Sequence, residues 1–289
     1  MKNSWINWLL FLLICIIWGS SFILMKAGLQ RLSAFQVAAI RISSGAIVLV
    51  PFAFSALRRI PSSKYPLIIL TGFLGTFFPA FLFCIAETRI DSAIAGIINA
   101  LTPLFTLIIG VMFFSATIPL KKWLGVVVGF AGLCFLLASG DEKINFGYLG
   151  FSLLVLIATI LYGTNVNLIN KYLKSYRSLD IASISLPSLL IPALGVLYFT
   201  GFFSQINTSP AWIKSTGASL VLGVIGTAIG TLVFYNLIKR AGPVFSSMVT
   251  YGIPFIALGW GVLDGEVIFP LQIVCMMIIL AGVFLANRK

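Results

Sequence analysis

Apolar segments of about twenty residues recur along the whole chain, and they constrain the fold more than any other feature of the sequence. A helix of about twenty apolar residues is long enough to cross the ~30 Å hydrocarbon core of a bilayer. Hydrophobic residues make up 60% of the chain and charged residues only 9%, whereas roughly 25% of a soluble domain is charged. The segments therefore predict an all-α polytopic membrane protein.

The apolar segments predict ten transmembrane helices, and the connections between them are too short to hold a soluble domain. A chain of this design places its substrate or ligand site between the helices rather than on a separate domain. The expected spans are 6–27, 34–57, 66–86, 92–114, 121–139, 147–170, 180–203, 216–238, 243–263 and 269–287.

The basic residues are distributed unevenly between the two sides of this arrangement. With the N-terminus inside, thirteen of the 19 Lys and Arg residues fall on the inner side, five fall outside, and Arg41 lies within the second span. Because Lys and Arg are enriched in cytoplasmic loops, this bias predicts that both termini are cytoplasmic in a bacterial cytoplasmic (inner) membrane. Topology also accounts for most of the net charge of +12, so no nucleic-acid partner is needed to explain it.

The second half of the chain repeats the first. With a shift of 151 residues, 11 of the 51 positions in 70–120 are identical to their counterparts in 221–271. The matches include three Gly, two Pro and one Arg, which apolar composition alone does not readily align. A weaker similarity, at a different shift, pairs Trp18 with Tyr162.

The repeat predicts two five-helix halves, 1–140 and 147–289, around a central cavity. Because five is an odd number, the second half enters the membrane from the opposite side. Such an inverted-topology repeat is the architecture of secondary transporters, in which the substrate lies near the midplane between the halves. Two similar halves of opposite orientation can exchange conformations, which gives an outward-open and an inward-open state.

Pro103 and Pro254 interrupt corresponding apolar segments of the two halves. A proline removes the hydrogen bond to the carbonyl four residues back, so this pair frees the carbonyls of Asn99 and Thr250. In lipid, such carbonyls need a protein partner or a water-filled cavity. The prolines therefore indicate either kinks stabilised by neighbouring helices or the wall of a cavity, and we favour the cavity.

Polar and aromatic residues near the predicted midplane are candidates for the wall of that cavity. Asn99, Thr250 and Tyr251 flank the two prolines, where they either face the cavity or hydrogen-bond between helices. Trp18 lies near the middle of the first span, where it either packs in the core or stacks on a substrate.

The second half offers three further candidates. Tyr162 is the repeat counterpart of Trp18, and Asn165 lies three residues later on the same face of the helix. Tyr235 lies late in the eighth span, where it either lines the cavity or lies too near the inner surface to touch a substrate.

Arg41 is the clear charge within a predicted span. Charges inside a membrane are costly and mark either a transport pathway or a fixed pair. Glu87 lies at the outer end of the adjacent third span. We interpret Arg41 as a structural charge that pairs with Glu87 or with freed carbonyls, rather than as a binding residue.

Several classes of function are disfavoured. Histidine is absent, and the sequence has no HExxH motif, no paired midplane aspartates and no Ser/His pair. A GxxxxGK[ST] nucleotide-binding loop is also missing, so we expect no enzyme activity, cofactor, metal or direct use of ATP. The four cysteines fall in apolar segments and are interpreted as small buried hydrophobic residues. Coupling to a proton gradient, exchange and facilitated diffusion all stay open.

The chain resembles the drug/metabolite transporter superfamily, EamA type, over nearly its whole length. Five features carry the resemblance: "IIWGSSFILMKAGL", Arg41, "SAIAGIINALTPLFT", "PVFSSMVTYGIPFIALGWGVLDGE" and "PLQIVCMMIILAGVFLANR". The resemblance implies a metabolite or drug exporter with a cavity lined by the first, third and fourth spans and their counterparts. Family members commonly carry a Glu after the fourth and ninth spans. Glu266 fits this pattern, but Ser115 stands at the first-half position.

The sequence therefore predicts a secondary transporter that exports small metabolites, such as amino acids or similar polar and aromatic solutes, by alternating access. The alternative is an intramembrane receptor, or a channel-like facilitator without active coupling. Gly125-xxx-Gly129 and Gly226-xxx-Gly230 fit close helix contacts, which we expect within the chain. The partners are accordingly a small-molecule substrate and the bilayer, with the protein a monomer or a weak dimer.

Overall fold

A computed structural model describes residues 4–90, 92–138, 149–263 and 270–287, and these residues form helices without a strand. Short 3₁₀ turns and two π-helical segments, Phe73–Phe77 and Leu222–Ile229, connect or interrupt the α-helices. The α-helices are α1 (Ser4–Gly19), α2 (Ser21–Leu29), α3 (Ala34–Arg59), α4 (Tyr65–Gly72), α5 (Phe78–Ala86), α6 (Ser92–Asn99), α7 (Thr102–Phe114), α8 (Leu120–Ala138), α9 (Leu149–Tyr172), α10 (Ser178–Ser185), α11 (Leu190–Phe199), α12 (Pro210–Val221), α13 (Gly230–Ala241), α14 (Pro243–Ser247), α15 (Val249–Leu263) and α16 (Pro270–Asn287).

Six helical stretches among the described residues are long and apolar enough to cross a membrane, which confirms the all-helical membrane class. Large apolar side chains also face outward, as a lipid-covered surface requires: Phe54 is 70% exposed, Phe113 71% and Phe199 87%. The other expected spans coincide with shorter or interrupted helices, namely α6–α7, α8, α14–α15 and α16. The six stretches are Trp5–Leu29, Ala34–Arg59, Ser62–Ala86, Leu149–Tyr172, Ser178–Phe199 and Pro210–Ala241.

Local signals in the sequence fix several helix ends. A capping box begins α3: the Ser33 hydroxyl accepts from the Gln36 N–H, and the Gln36 side chain accepts from the Ser33 N–H. At the C-terminal end of the fourth expected span, Ser115 caps α7, and its backbone is left-handed with a φ of 53°. Glu266, the acid expected after the ninth span, lies outside the described residues.

The proline-containing segments break in two different ways. Pro103 lies in the first turn of α7, because α6 ends at Asn99 and the helix restarts at Thr102. The Asn99 carbonyl, freed as expected, accepts a hydrogen bond from the Thr102 hydroxyl at 2.6 Å. Pro254 lies inside α15, whose N-terminal break falls earlier, at Met248.

Helices of the two expected halves contact each other in a reciprocal way. In the first half, α1 packs against α13 and α15 of the second. In the second half, α9 packs against α5 and α7 of the first. At the centre α3 packs against α10 and α11, and at one edge α8 runs along α16. These contacts join the helices of residues 4–138 to those of residues 149–287.

Glycines permit the closest of these contacts. A Cβ atom at Gly125 of α8 would lie 2.6 Å from the Ala286 nitrogen and 2.7 Å from the Gly282 oxygen of α16. At Gly230 it would lie 2.8 Å from the Trp18 indole nitrogen. Both Gly-xxx-Gly pairs therefore meet other helices of the same chain, as small residues at helix interfaces do in membranes.

The long contact of α3 with α10 and α11 is tied at both ends by polar groups. At the C-terminal end of α3, Arg59 forms a salt bridge of 2.6 Å with Asp180. At its N-terminal end, the Gln36 amide donates to the Thr200 carbonyl and to the Gln205 side chain, at 3.2 and 3.3 Å. One end is thus held by an ion pair and the other by neutral hydrogen bonds.

Candidate functional site

A cavity of about 90 Å³ is lined by residues of α1–α3, α5–α7, α9, α13–α15 and the two π-helical segments. A volume of ~10–15 Å³ on this measure holds one water molecule, so the cavity has room for several waters or part of a small solute. Its wall combines aromatic rings with hydroxyl and amide groups, and residues of both expected halves contribute to it.

Four of the predicted cavity residues line this cavity: Trp18, Asn99, Tyr162 and Thr250. Trp18 is fixed by two contacts, a hydrogen bond of 3.0 Å from its indole nitrogen to the Gly226 carbonyl and a ring contact of 4.8 Å with Phe234. The fixed indole therefore presents a rigid aromatic surface to whatever enters.

Part of the polar wall comes from the two helix breaks near the prolines. Asn99 ends α6, and its side-chain oxygen lies 3.3 Å from the Thr102 hydroxyl. Thr250 lies in the first turn of α15, and its hydroxyl donates to the Ser247 carbonyl at 3.1 Å. Asn99 and Thr250 are each 6% exposed, so they meet solvent only through the cavity. The breaks thus bring hydrogen-bonding groups into an apolar interior.

Three other predicted residues are not brought to the cavity. Tyr251 is fully buried on another face of its helix, where its hydroxyl donates to the Val126 carbonyl at 2.9 Å. Asn165 and Tyr235 are 3% and 2% exposed and belong to a separate buried polar cluster. In that cluster the Tyr235 hydroxyl faces the side chains of Thr71, Asn165 and Ser185, but no hydrogen bond of good geometry satisfies it in the described part of the chain.

The proline side chains themselves do not contribute to the described lining either. Pro103 is buried and Pro254 is half-buried, so their effect on the cavity is through the backbone of their neighbours. This is the role that the sequence assigns to them, since a proline acts by removing a backbone donor.

Arg41 lies on the cavity wall. Its Nε atom donates a hydrogen bond of 2.8 Å to the Thr227 hydroxyl of the second π-helical segment. Glu87 lies at the C-terminal cap of α5. The structure therefore places Arg41 on the wall of the cavity, and its expected pairing with Glu87 or with freed carbonyls stays a prediction.

The sequence interpretation missed the residues of the π-helical segments. Gly75 and Thr76 of the first segment line the cavity, as do Gly226 and Thr227 of the second. A π-helix has one extra residue per turn and often occurs at functional sites. The signal was present in the sequence, because these Gly-Thr pairs are two of the identities at the 151-residue shift.

Most of the cavity wall consists of residues that correspond in the repeat. Trp18 and Tyr162, which correspond at a shift of 144 residues, both line it. So do five pairs at the 151-residue shift, namely Gly75 and Gly226, Thr76 and Thr227, Phe83 and Phe234, Asn99 and Thr250, and Thr102 and Ile253.

Comparison with known proteins assigns the chain to a class. A family model described as the EamA-like transporter family matches residues 5–138 and, a second time, residues 150–288. A solved crystal structure superposes with a TM-score of 0.73 at 16% identity, over 96% of this chain and 95% of that one, which shows a shared fold.

Related proteins of known name are transporters. The chain is 25% identical over 286 residues to a probable amino-acid metabolite efflux pump of Salmonella typhimurium, covering 95% of this chain and 92% of the relative. It is 26% identical to a probable terminal-alkyne amino-acid exporter of Streptantibioticus cattleyicolor, over 100% and 95% of the two chains. It is 27% identical to an S-adenosylmethionine uptake transporter of Rickettsia felis, over 72% and 66%.

Proposed function

The chain belongs to the EamA-like transporter family, within the drug/metabolite transporter superfamily, and on that premise we propose that it is a secondary transporter that moves a small metabolite through the central cavity by alternating access. The observation that carries the proposal is the composition of the cavity wall, which is built largely from residue pairs that correspond in the two halves. A site shared equally between two similar halves can be exposed alternately by their relative movement.

The proposed architecture is ten helices in two inverted five-helix halves, residues 1–140 and 147–289. The double match of one family model supports this division. Reciprocal contacts support it too. A Cβ atom at Gly72 would lie 2.7 Å from the Ser185 carbonyl oxygen, and its counterpart Gly223 lies against the Arg41 carbonyl in the same way. Both π-helical segments also occupy the same position of the repeat, since Phe73–Phe77 falls within Leu222–Ile229 at the 151-residue shift.

The proposed substrate is an amino acid or a similar small polar or aromatic metabolite, and the proposed direction is export. Relatives named as amino-acid metabolite exporters support this choice. The wall is also suited to it, because Trp18 and Tyr162 offer aromatic surfaces while Asn99 and Thr250 offer hydrogen bonds.

The proposed location is the bacterial cytoplasmic membrane, with both termini inside and the protein a monomer or a weak dimer. The bias of Lys and Arg supports this orientation. Use of the proton gradient is an open part of the proposal, and the described residues that line the cavity include no Asp or Glu.

Counterflow in proteoliposomes tests the function. Vesicles are preloaded with an unlabelled pool of amino acids or of nucleosides, and the uptake of labelled members of the same pool is followed. An alternating-access carrier accumulates label transiently against its gradient. Trp18→Ala and Asn99→Ala should reduce the initial rate at least tenfold, because each removes a part of the wall. Repeating the assay with a pH gradient measures proton coupling.

Phe113→Ala is the matched control, since this lipid-facing side chain on α7 is 71% exposed and should leave counterflow unchanged. Downhill flux without transient accumulation would instead identify a channel-like facilitator. Absence of flux for every pool, with the protein shown to be folded, would contradict the transport function.

A further inference from the structure

We propose that the cavity recognises a carboxylate on its solute and that the guanidinium of Arg41 is the group that binds it. This inference deepens the proposed transport function and rests on it, because it names the chemical class of the solute in the same cavity. It starts from the balance of charge in the wall.

Arg41 is the charged residue among the described residues that line the cavity, and the other lining side chains are hydroxyl-bearing, amide, aromatic or apolar. A cation in the interior of a membrane protein is costly unless a counter-charge or water compensates it. Because the described wall offers hydroxyl and amide groups but no carboxylate, a solute that carries a carboxylate would place an anion in direct contact with this cation.

The contacts of Arg41 leave its recognition face available. The Nε atom is occupied by the Thr227 hydroxyl at 2.8 Å. The terminal Nη1 and Nη2 atoms make no hydrogen bond or ion pair with the described part of the chain. These two atoms present parallel N–H groups, and this fork matches the two oxygens of a carboxylate. Thr227 holds the guanidinium in orientation, so it is a positioning residue.

The remaining wall suits the rest of such a solute. The ring centroids of Trp18 and Phe234 are 4.8 Å apart, and those of Tyr162 and Phe83 are 6.2 Å apart. These two aromatic pairs can enclose an apolar or aromatic part of the solute. One cation balances one negative charge. This favours a monocarboxylate over a phosphate ester, which carries nearly two charges at neutral pH.

The first test compares matched ligands on the wild-type protein. The thermal unfolding midpoint of the purified full chain is measured in detergent with pools of phenylalanine, leucine and threonine, and then with pools of their carboxamides. Each amide keeps the side chain and the amine but lacks the negative charge. The acids should stabilise the protein with an affinity roughly ten- to a hundredfold above the amides, as expected for the loss of a bidentate charged contact.

Variants then assign the effect to the side chain. Arg41→Gln should abolish the difference between acids and amides, and Arg41→Lys should retain part of it, because a lysine keeps the charge but not the fork. Arg58→Gln is the matched control, since it removes an exposed arginine from the same helix. If an Arg41 variant does not fold, the comparison of acids with amides on the wild-type chain still tests whether the protein prefers a carboxylate.

Thr227→Val removes the hydroxyl and should weaken binding of the acids about tenfold. Thr227→Ser keeps the hydroxyl and should bind the acids nearly as well as the wild type. A merely structural role of Thr227 would move the unfolding midpoint without ligand and leave the acid–amide ratio unchanged. Thr164→Val makes the same substitution outside the cavity. It should change neither the unfolding midpoint without ligand nor the ratio of the affinities for acids and amides.

The possible results separate this inference from the transport function. Three results would overturn the carboxylate assignment. The first is equal stabilisation by the acids and the amides, and the second is stabilisation by potassium chloride as strong as that by the acids. The third is a preference for acids that Arg41→Gln leaves intact. A preference for acids that is lost in Arg41→Gln supports the assignment even if counterflow fails. Counterflow of nucleosides or amides, insensitive to Arg41→Gln, would retain the transporter and remove the carboxylate.

Discussion

Tyr251 and Tyr235 are both buried, yet their hydroxyl groups are treated differently by the fold. Tyr251 donates to the Val126 carbonyl at 2.9 Å, across the contact between α15 and α8. The Tyr235 hydroxyl faces the side chains of Thr71, Asn165 and Ser185, but it makes no hydrogen bond of good geometry in the described part of the chain. A hydrogen bond that is made stabilises, whereas a buried polar group that is not satisfied destabilises.

Tyr251→Phe should therefore lower the free energy of unfolding by about 1 kcal/mol, the size of a typical interhelical hydrogen bond in a membrane protein. The Val126 carbonyl loses its partner in this variant. Reversible unfolding in mixed micelles measures the change, and counterflow should be retained because the side chain does not reach the cavity.

Tyr235→Phe is the comparison within the same chain. Removing a hydroxyl that has no partner should leave the stability unchanged or raise it slightly. A larger loss of stability in Tyr235→Phe than in Tyr251→Phe would show that the two environments are assigned the wrong way round.

Asn99 and Thr250 are two of the four predicted residues that line the cavity, and their position follows from the proline four residues later. Tyr251 follows Thr250 directly, and consecutive helical residues point about 100° apart. Both therefore could not face one cavity, and only the helix orientation decides which does. Arg41 could be located in its span, but its contact with Thr227 depends on a helix 186 residues away.

At the level of helices, the bounds of the long apolar segments follow from composition, but the interruptions do not. The break before α15 falls at Met248 rather than at Pro254, because a proline marks a missing donor and not the position at which the backbone turns. The π-helical segments were not predicted, since a widened turn is stabilised by contacts with other helices. In the second segment, the widened turn is where the Gly226 carbonyl receives the Trp18 indole N–H.

The contact of α8 with α16 gives a prediction about an element. Gly125→Ala should destabilise the protein by about 1–3 kcal/mol, because the added methyl group would meet backbone atoms that cannot move without separating the helices. The unfolding midpoint in detergent measures this effect.

Gly217→Ala is the control, since a Cβ atom there meets nothing within 4 Å. This substitution should be neutral or stabilise α12 by up to about 1 kcal/mol, as alanine is the better helix former. Equal effects of the two substitutions would mean that α8 and α16 do not approach as closely as described.

At the scale of the whole molecule, the two ends of α3 are held by different kinds of contact. The pair of Arg59 and Asp180 joins α3 to α10 at one end, and it is partly open to solvent, with side chains 42% and 4% exposed. A partly exposed ion pair contributes about 1 kcal/mol and is weakened by salt. The neutral contacts of Gln36 at the other end lack this sensitivity.

Arg59→Gln should therefore favour opening at the end of Asp180. A cysteine placed at Ser247, in a chain without its native cysteines, should react about fivefold faster with a membrane-impermeant maleimide applied from that side, the factor that ~1 kcal/mol provides. High salt should narrow the difference from the parent chain.

Arg58→Gln removes the neighbouring exposed arginine and should leave the labelling rate unchanged. An equal labelling rate in Arg59→Gln and in the parent chain would show that the ion pair of Arg59 and Asp180 does not restrict access to Ser247.

At the scale of the whole molecule, the sequence predicts the membrane class and the repeat, because both follow from composition and spacing. Which end is tied by charge depends on how helices far apart in the chain meet, and the sequence does not encode that in any local pattern.

The matching π-helical segments have a consequence for how the chain arose. Two independent insertions at one position are less economical than a single insertion that was copied, so the widened turn would predate the duplication. The segment that was duplicated would then already have carried the Gly-Thr pair within its widened turn. Arg41 has no such twin, since Ser185 stands at the corresponding contact. On this account the charge of Arg41 is a feature that the two corresponding contacts do not share, and it would have arisen after the duplication.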